Sequence, residues 1–123
     1  MTDHSTREKG RGAETLACQH LQQCGYAILE RNYHCRYGEI DIIAQDGKEI
    51  VFVEVKSRRS DHYGAPEDAV GITKQKKVSA VALYYLMEKQ LEGRPARFDV
   101  VTVMNAVAQP QIRIIRDAFD LKR

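Results

Sequence analysis

The chain has 123 residues, 43% of them hydrophobic and 29% charged, with a formal net charge of +2. That is enough for one domain with a real core and too little for two, and the small net charge leaves any polyanion site to local clustering. No apolar run is long enough to span a membrane and the polar start MTDHSTREKGRG does not read as a secretory signal, so the cytoplasm is the expected location. Cys18, Cys24 and Cys35, an odd set without CxxC spacing, are expected as free thiols, and His4, His20, His34 and His62 form no metal-ligand pattern.

Residues 1 to about 7 are expected to be flexible. Glu8 to Gln23 reads as a helix stopped by Gly25, with an apolar stripe of Ala17, Cys18, Leu21 and Cys24. One turn back the stripe reaches Glu14. A carboxylate on a core-facing side needs a partner; alternatively Glu14 is a first-turn acid helped by the helix dipole. Tyr26 to Tyr33 reads as a strand, with Ala27 and Leu29 on one face and Tyr26 and Ile28 on the other. Tyr33 and Tyr37 are candidates for stacking on bases, although tyrosines flanking a turn commonly pack.

Gly38 to Lys56, GEIDIIAQDGKEIVFVEVK, holds two β-branched runs around an Asp-Gly pair, a hairpin signal. With Asp46 and Gly47 as the turn, Ala44 falls opposite Glu49, Asp41 opposite Phe52 and Glu39 opposite Glu54. Ile40, Ile42 and Ala44 then share a buried face with Val51, Val53 and Val55, while Glu39, Asp41, Glu54 and Lys56 gather at one end of the other face. Asp41 and Glu54 become diagonal neighbours about 7 Å apart, close enough to reach one ion. Such clustered acids repel unless Lys56 or a divalent cation compensates. The plainer alternative is a solvated hairpin end with a surface Glu54–Lys56 pair.

The run 57–72, with Gly64, Pro66 and Gly71 and no clear period, is expected to be a long mobile loop, beginning with Arg58 and Arg59 just beyond the acids. Thr73 offers an N-cap for a helix to about Leu91, whose stripe is Val78, Val81, Ala82, Tyr85 and Leu86. Its first turn carries Lys74, Lys76 and Lys77, cations at the positive end of the helix dipole, an arrangement that a bound phosphate would favour. Arg97 to Met104 reads as a fourth strand and Gln111 to Arg116 as a short edge strand; the tail DAFDLKR carries no clear signal.

Glu14-Thr15-Leu16-Ala17, Gly25-Tyr26, Arg31-Asn32-Tyr33, Gly38-Glu39-Ile40-Asp41, Phe52-Val53-Glu54-Val55-Lys56, Tyr63-Gly64, Lys74 and Arg97-Phe98-Asp99 together resemble the PD-(D/E)XK nuclease superfamily, and more closely a YraN-type bacterial family whose fold is similar to that of archaeal Holliday-junction resolvases. The resemblance spans about residues 8 to 104. It implies an α/β fold over the single domain 1–123, a restriction-endonuclease-like αβββαβ core with a mixed central sheet flanked by helices. It further implies that Asp41, Glu54 and the Val55 backbone carbonyl bind Mg²⁺ or Mn²⁺, that Glu14 assists through water, and that Lys56 activates water for attack on a phosphodiester. Glu39 would be auxiliary. Ile40 stands where the superfamily's name places proline, and the glutamine some branches carry on the second helix has no clear counterpart unless Lys74 replaces it.

The expected activity is therefore metal-dependent hydrolysis of DNA, branched or damaged forms included. Arg58, Arg59, Lys74, Lys76 and Lys77 would contact phosphates without reading sequence. Junction resolvases work as dimers, so a homodimer through the edge strand or the long loop is compatible. A nuclease-fold protein that binds without cutting and a protein-interaction module are the alternatives.

Overall fold

A computed structural model of the chain describes residues 2–58, 70–105 and 109–122, with the side chains of residues 2–11 left aside. The order is α1 (Thr2–Gln23), β1 (Ala27–Cys35), β2 (Gly38–Asp46), β3 (Glu49–Arg58), α2 (Ile72–Glu88), β4 (Ala96–Met104) and β5 (Gln111–Phe119). The strands form one sheet in the order β1-β2-β3-β4-β5, antiparallel except for β3 and β4, which run parallel because α2 crosses over between them. This is the mixed sheet flanked by helices that the sequence implied. Arg59, which was expected to contact phosphate, and the middle of the expected loop lie outside the described residues.

The central strands carry near-continuous apolar runs because both of their faces are covered. On one face Val51, Val53, Val101 and Val103 meet Ala13, Ala17, Cys18 and Leu21 of α1. On the other, Ile43, Phe52, Phe98 and Val100 meet Val78, Val81, Ala82 and Tyr85 of α2. Two expectations change at the edges of this core. Cys24, placed on the α1 stripe, is exposed, because α1 ends at Gln23 and Gly25 turns the chain away at φ +94°. Phe119 of the tail is buried and stacks on Phe98 at 4.8 Å, extending β5 three residues past Arg116.

The hairpin register differs from the expected one by two residues. Asp46 pairs with Glu49, so Gly47 and Lys48 form the turn, and Ala44 lies opposite Val51, Ile43 opposite Phe52 and Ile42 opposite Val53. Gly47 at φ +61° occupies the first central position, which a type II′ turn assigns to glycine. A two-residue shift preserves side-chain parity, so the faces stay as expected from Ile42 to Val53.

Parity fails one residue further on. Ile42 packs beneath α1, but Ile40, expected on the same face, packs against α2. The partners on β1 change sides together: Arg31 pairs with Ile42 and Tyr33 with Ile40, and Asn32 between them has φ +53°. Both strands therefore bend at the level of Asn32 and Asp41.

Three residues before Asp41, Gly38 follows the β1–β2 turn at φ +142°, with Val81 Cγ2 3.4 Å from where a Cβ would stand. Gly38→Ala is expected to cost about 1–3 kcal/mol, mainly as backbone strain, read as a lower urea midpoint at unchanged slope.

Candidate functional site

The bend aims Asp41 into the sheet plane. Its Oδ2 accepts the Val55 backbone N–H at 2.8 Å, taking a donor that would otherwise serve the ladder, and paired residues on β2 and β3 end at Ile42 and Val53. The same count, continued, brings Asp41 level with Glu54. The two acids are thus within hydrogen-bonding reach of each other, closer than the diagonal placement of the expected register.

Glu54 stands on β3 with only 2% of its surface exposed, and its Oε1 is buried without a hydrogen-bond partner. Burial first, then hydrogen bonding to and repulsion from Asp41, push its pKa up to about 9; Lys74 and Lys56 pull the other way and do not prevail. At neutral pH the two carboxyl groups therefore retain a proton. Lys74 Nζ comes within 3.7 Å of Glu54 Oε1, too long for a hydrogen bond but close enough to place this α2 cation over the acid. Lys56, two residues after Glu54 on β3, makes no ion pair among the described residues.

Glu14 is 8% exposed on α1, as the extended stripe implied. Its Oε1 accepts Arg31 Nε at 3.2 Å and Asn32 Nδ2 at 3.1 Å. The buried acid is thereby satisfied by two β1 residues, one of them at the bend opposite Asp41. Glu39 points elsewhere, pairing with His34 Nε2 at 2.7 Å on the exposed edge. Among the described residues no three His, Cys, Asp or Glu side chains assemble into a set that could hold a metal ion. The convergence is therefore of Asp41 and Glu54, with Lys74 above them, while Glu14 is held by Arg31 and Asn32 of β1.

The helix carrying Lys74 starts at Ile72 after Gly71, and no side chain caps its first turn; the expected cap, Thr73, lies inside the helix. Lys76 and Lys77 are exposed. Arg58 ends β3, its Nη1 donating to the Ser57 carbonyl at 3.1 Å.

A second polar cluster, not anticipated as one, lies on the α1 face of the sheet and reaches from the level of Val53 toward the β2–β3 turn. Asp99 is fully buried, and it accepts Tyr26 Oη at 2.9 Å, Arg97 Nε at 3.0 Å and the Asp117 backbone N–H at 3.0 Å. Arg97 also reaches Glu49 at 2.8 Å and Asp46 at 2.9 Å, at the foot of the β2–β3 hairpin. Burial alone would lower the Arg97 pKa, but hydrogen bonds to Asp99 and Asp46 overcome this and raise it. The signal was present in the sequence: Arg97 and Asp99 share one face of the otherwise apolar strand RFDVVTVM. Every charged group in the cluster has an ion-pair or hydrogen-bond partner, which suits a brace between β2, β3, β4 and β5 rather than a reactive centre.

Residues 13–103 match the Uncharacterised protein family UPF0102. The chain belongs to this family. It is 54% identical over 112 residues to a UPF0102 protein of Syntrophus aciditrophicus, covering 91% of this chain and 88% of the relative. A UPF0102 protein of Geobacter metallireducens is 49% identical over 112 residues, covering 91% and 92% of the two chains. One from Nitrosococcus oceani is 42% identical over 120 residues, covering 97% of each. The UPF0102 match includes Glu14, Asp41, Glu54, Lys56, Lys74 and the Arg97–Asp99 brace, so the candidate site and its structural support both lie inside the family region. No helix among the described residues is long and apolar enough to cross a membrane.

Proposed function

We propose that this UPF0102 protein is a metal-dependent endonuclease of the PD-(D/E)XK kind, hydrolysing phosphodiesters of DNA, with branched or damaged forms as candidate substrates. The observation that carries the reading is the buried, unpartnered Oε1 of Glu54 opposite Asp41. A carboxylate oxygen left without a donor is costly unless a proton or a cation serves it, and hard divalent ions take carboxylate and carbonyl oxygens with water filling the remaining positions. Asp41, Glu54 and the Val55 carbonyl would hold Mg²⁺ or Mn²⁺. When bound, such an ion polarises a phosphoryl oxygen and makes nearby water more acidic.

The protein's own groups do the rest. The Val55 N–H keeps Asp41 turned toward β3. Lys56 is the group to orient the attacking water and to neutralise charge building on the phosphate. Lys74, now against Glu54, is placed to exchange that contact for a phosphate oxygen, with Lys76, Lys77, Arg58 and Arg59 supplying further backbone contacts. Glu14 acts as a positioning residue, fixing Arg31 and Asn32 at the bend. Glu39, paired with His34, remains auxiliary.

The test is a titration of Mg²⁺ and Mn²⁺ against labelled duplex, single-stranded and junction DNA. Cutting is expected only with a divalent ion, and Asp41→Asn and Lys56→Ala are each expected to reduce it by about 10²-fold or more, as loss of one charged transition-state partner does. Binding should weaken as salt rises. Binding without cutting is the second reading, favoured by the lack of a third acid in the set among the described residues. A flat salt profile with no cutting would remove both.

A further inference from the structure

We propose that Tyr37 and Tyr84, with Arg36, form a stacking platform for one unpaired nucleobase, a subsite about four nucleotides along the strand from the carboxylates; this inference rests on the DNA reading above. The other described tyrosines are committed to packing. Tyr26 and Tyr85 are buried, and Tyr33 packs edge-on to Tyr85 at 5.0 Å with its hydroxyl donating to Glu88 at 2.9 Å. Tyr37 is 44% exposed at the apex of the two-residue β1–β2 turn, where no core needs an aromatic ring. Its ring lies 5.8 Å from that of Tyr84, and the Arg36 guanidinium is 4.9 Å from its centroid and donates to its hydroxyl at 2.7 Å. One exposed ring, flanked by a second tilted at 60° to it and by a cation, offers a face on which a base stacks without sequence preference.

The carboxylates nearby are already engaged. Nearby Glu39 is paired with His34. Glu88 is engaged by Tyr33 at 2.9 Å and contacts Tyr84 Oη at 3.5 Å. Lys74, Lys77, Val81 and Tyr84 follow at helical spacing on one flank of α2, Lys74 lies against Glu54, and Gly38 beside Tyr37 packs on Val81. Ten helical residues separate Lys74 from Tyr84, about 15 Å, or about four nucleotides of stacked strand. A strand whose phosphate enters between Lys74 and the carboxylates would thus pass Lys77 and bring a base to Tyr37. Bases already stacked in a duplex cannot use the platform, so its consequence is selection for DNA with unpaired nucleotides.

The experiment measures binding of the full chain in EDTA, where cutting plays no part, to plain duplex and to duplex with a single-stranded overhang carrying 2-aminopurine about four nucleotides from the junction, the separation estimated above. The wild type is expected to bind the overhang DNA and quench the probe. Tyr37→Ala should weaken overhang binding at least about tenfold more than duplex binding, the size expected for one lost base stack. Tyr37→Phe should retain binding and quenching, and Tyr84→Leu should reproduce the loss should Tyr37→Ala misfold. Equal losses on both DNAs, or no loss, would overturn the platform while leaving the nuclease reading intact; a wild type that binds neither DNA would overturn both.

Discussion

Glu54→Gln is expected to make the folded chain more stable at pH 8 and, in the same molecule, to remove metal-dependent cutting. Glu54 ionises near pH 9 in the folded state against an ordinary value of 4.5, because burial and then Asp41 disfavour its charge. The unfolded chain loses this proton near its ordinary value, so between the two values the folded state holds a proton that the unfolded state does not. Stability is complete below the lower value and falls as pH rises toward the upper one. Glutamine carries no such proton, and its amide can donate to Asp41. The variant should exceed the wild type by more than about 1 kcal/mol at pH 8 and converge with it near pH 4.5.

Magnesium should narrow the difference. An ion bound only by the folded wild type stabilises it by about 2.7 kcal/mol at a hundred times its Kd, whereas Glu54→Gln should gain much less. Urea unfolding at pH 5 and pH 8, each with and without Mg²⁺, reads all of this independently of catalysis. A difference that stays flat with pH, together with equal Mg²⁺ effects on both proteins, would contradict the carboxylate site. The trade-off has a physical origin: a group placed to bind a cation is badly solvated without one, so stability rises when it is removed.

The local periods carried most of the fold into view. Alternation along 42–53 identified the hairpin faces, and the 3.6-residue stripes located both helices, including Glu14 one turn before the expected core. What the periods missed arises where a side chain replaces a backbone partner. Nothing in GEID announces that Asp41 will accept the Val55 N–H and that Ile40 will change sides. The register differs by two because an Asp-Gly pair favours the two central turn positions, while the geometry of Gly47 suits the first central position of a turn made with Lys48. Lys74 over Glu54 and Asn32 on Glu14 are contacts between segments distant in sequence, which spacing cannot rank. UPF0102 membership places these residues in one family region, but their chemistry rests on the geometry.

The brace around Arg97 should dominate stability. Arg97→Met is expected to cost about 3–5 kcal/mol, as breaking a buried pair by removing one partner does, a large share of the 5–15 kcal/mol by which domains are typically stable, at roughly that order. Methionine fills much of the volume but leaves Asp99, fully buried, with only Tyr26 and the Asp117 N–H as donors, and releases Asp46 and Glu49 at the foot of the hairpin. Removing the stranded charge as well should restore part of the loss, so Arg97→Met with Asp99→Asn should be less damaging than the sum of the single changes. Urea unfolding of the four proteins measures the coupling. A single-variant cost below about 1 kcal/mol, the scale of an exposed pair, would mean that the cluster is solvated and braces nothing. The expected loss would instead assign the two polar clusters opposite tasks: the partnered charges around Arg97 hold the strands together, and the strands in turn keep Asp41 and Glu54 facing one another, poorly solvated and ready for a cation.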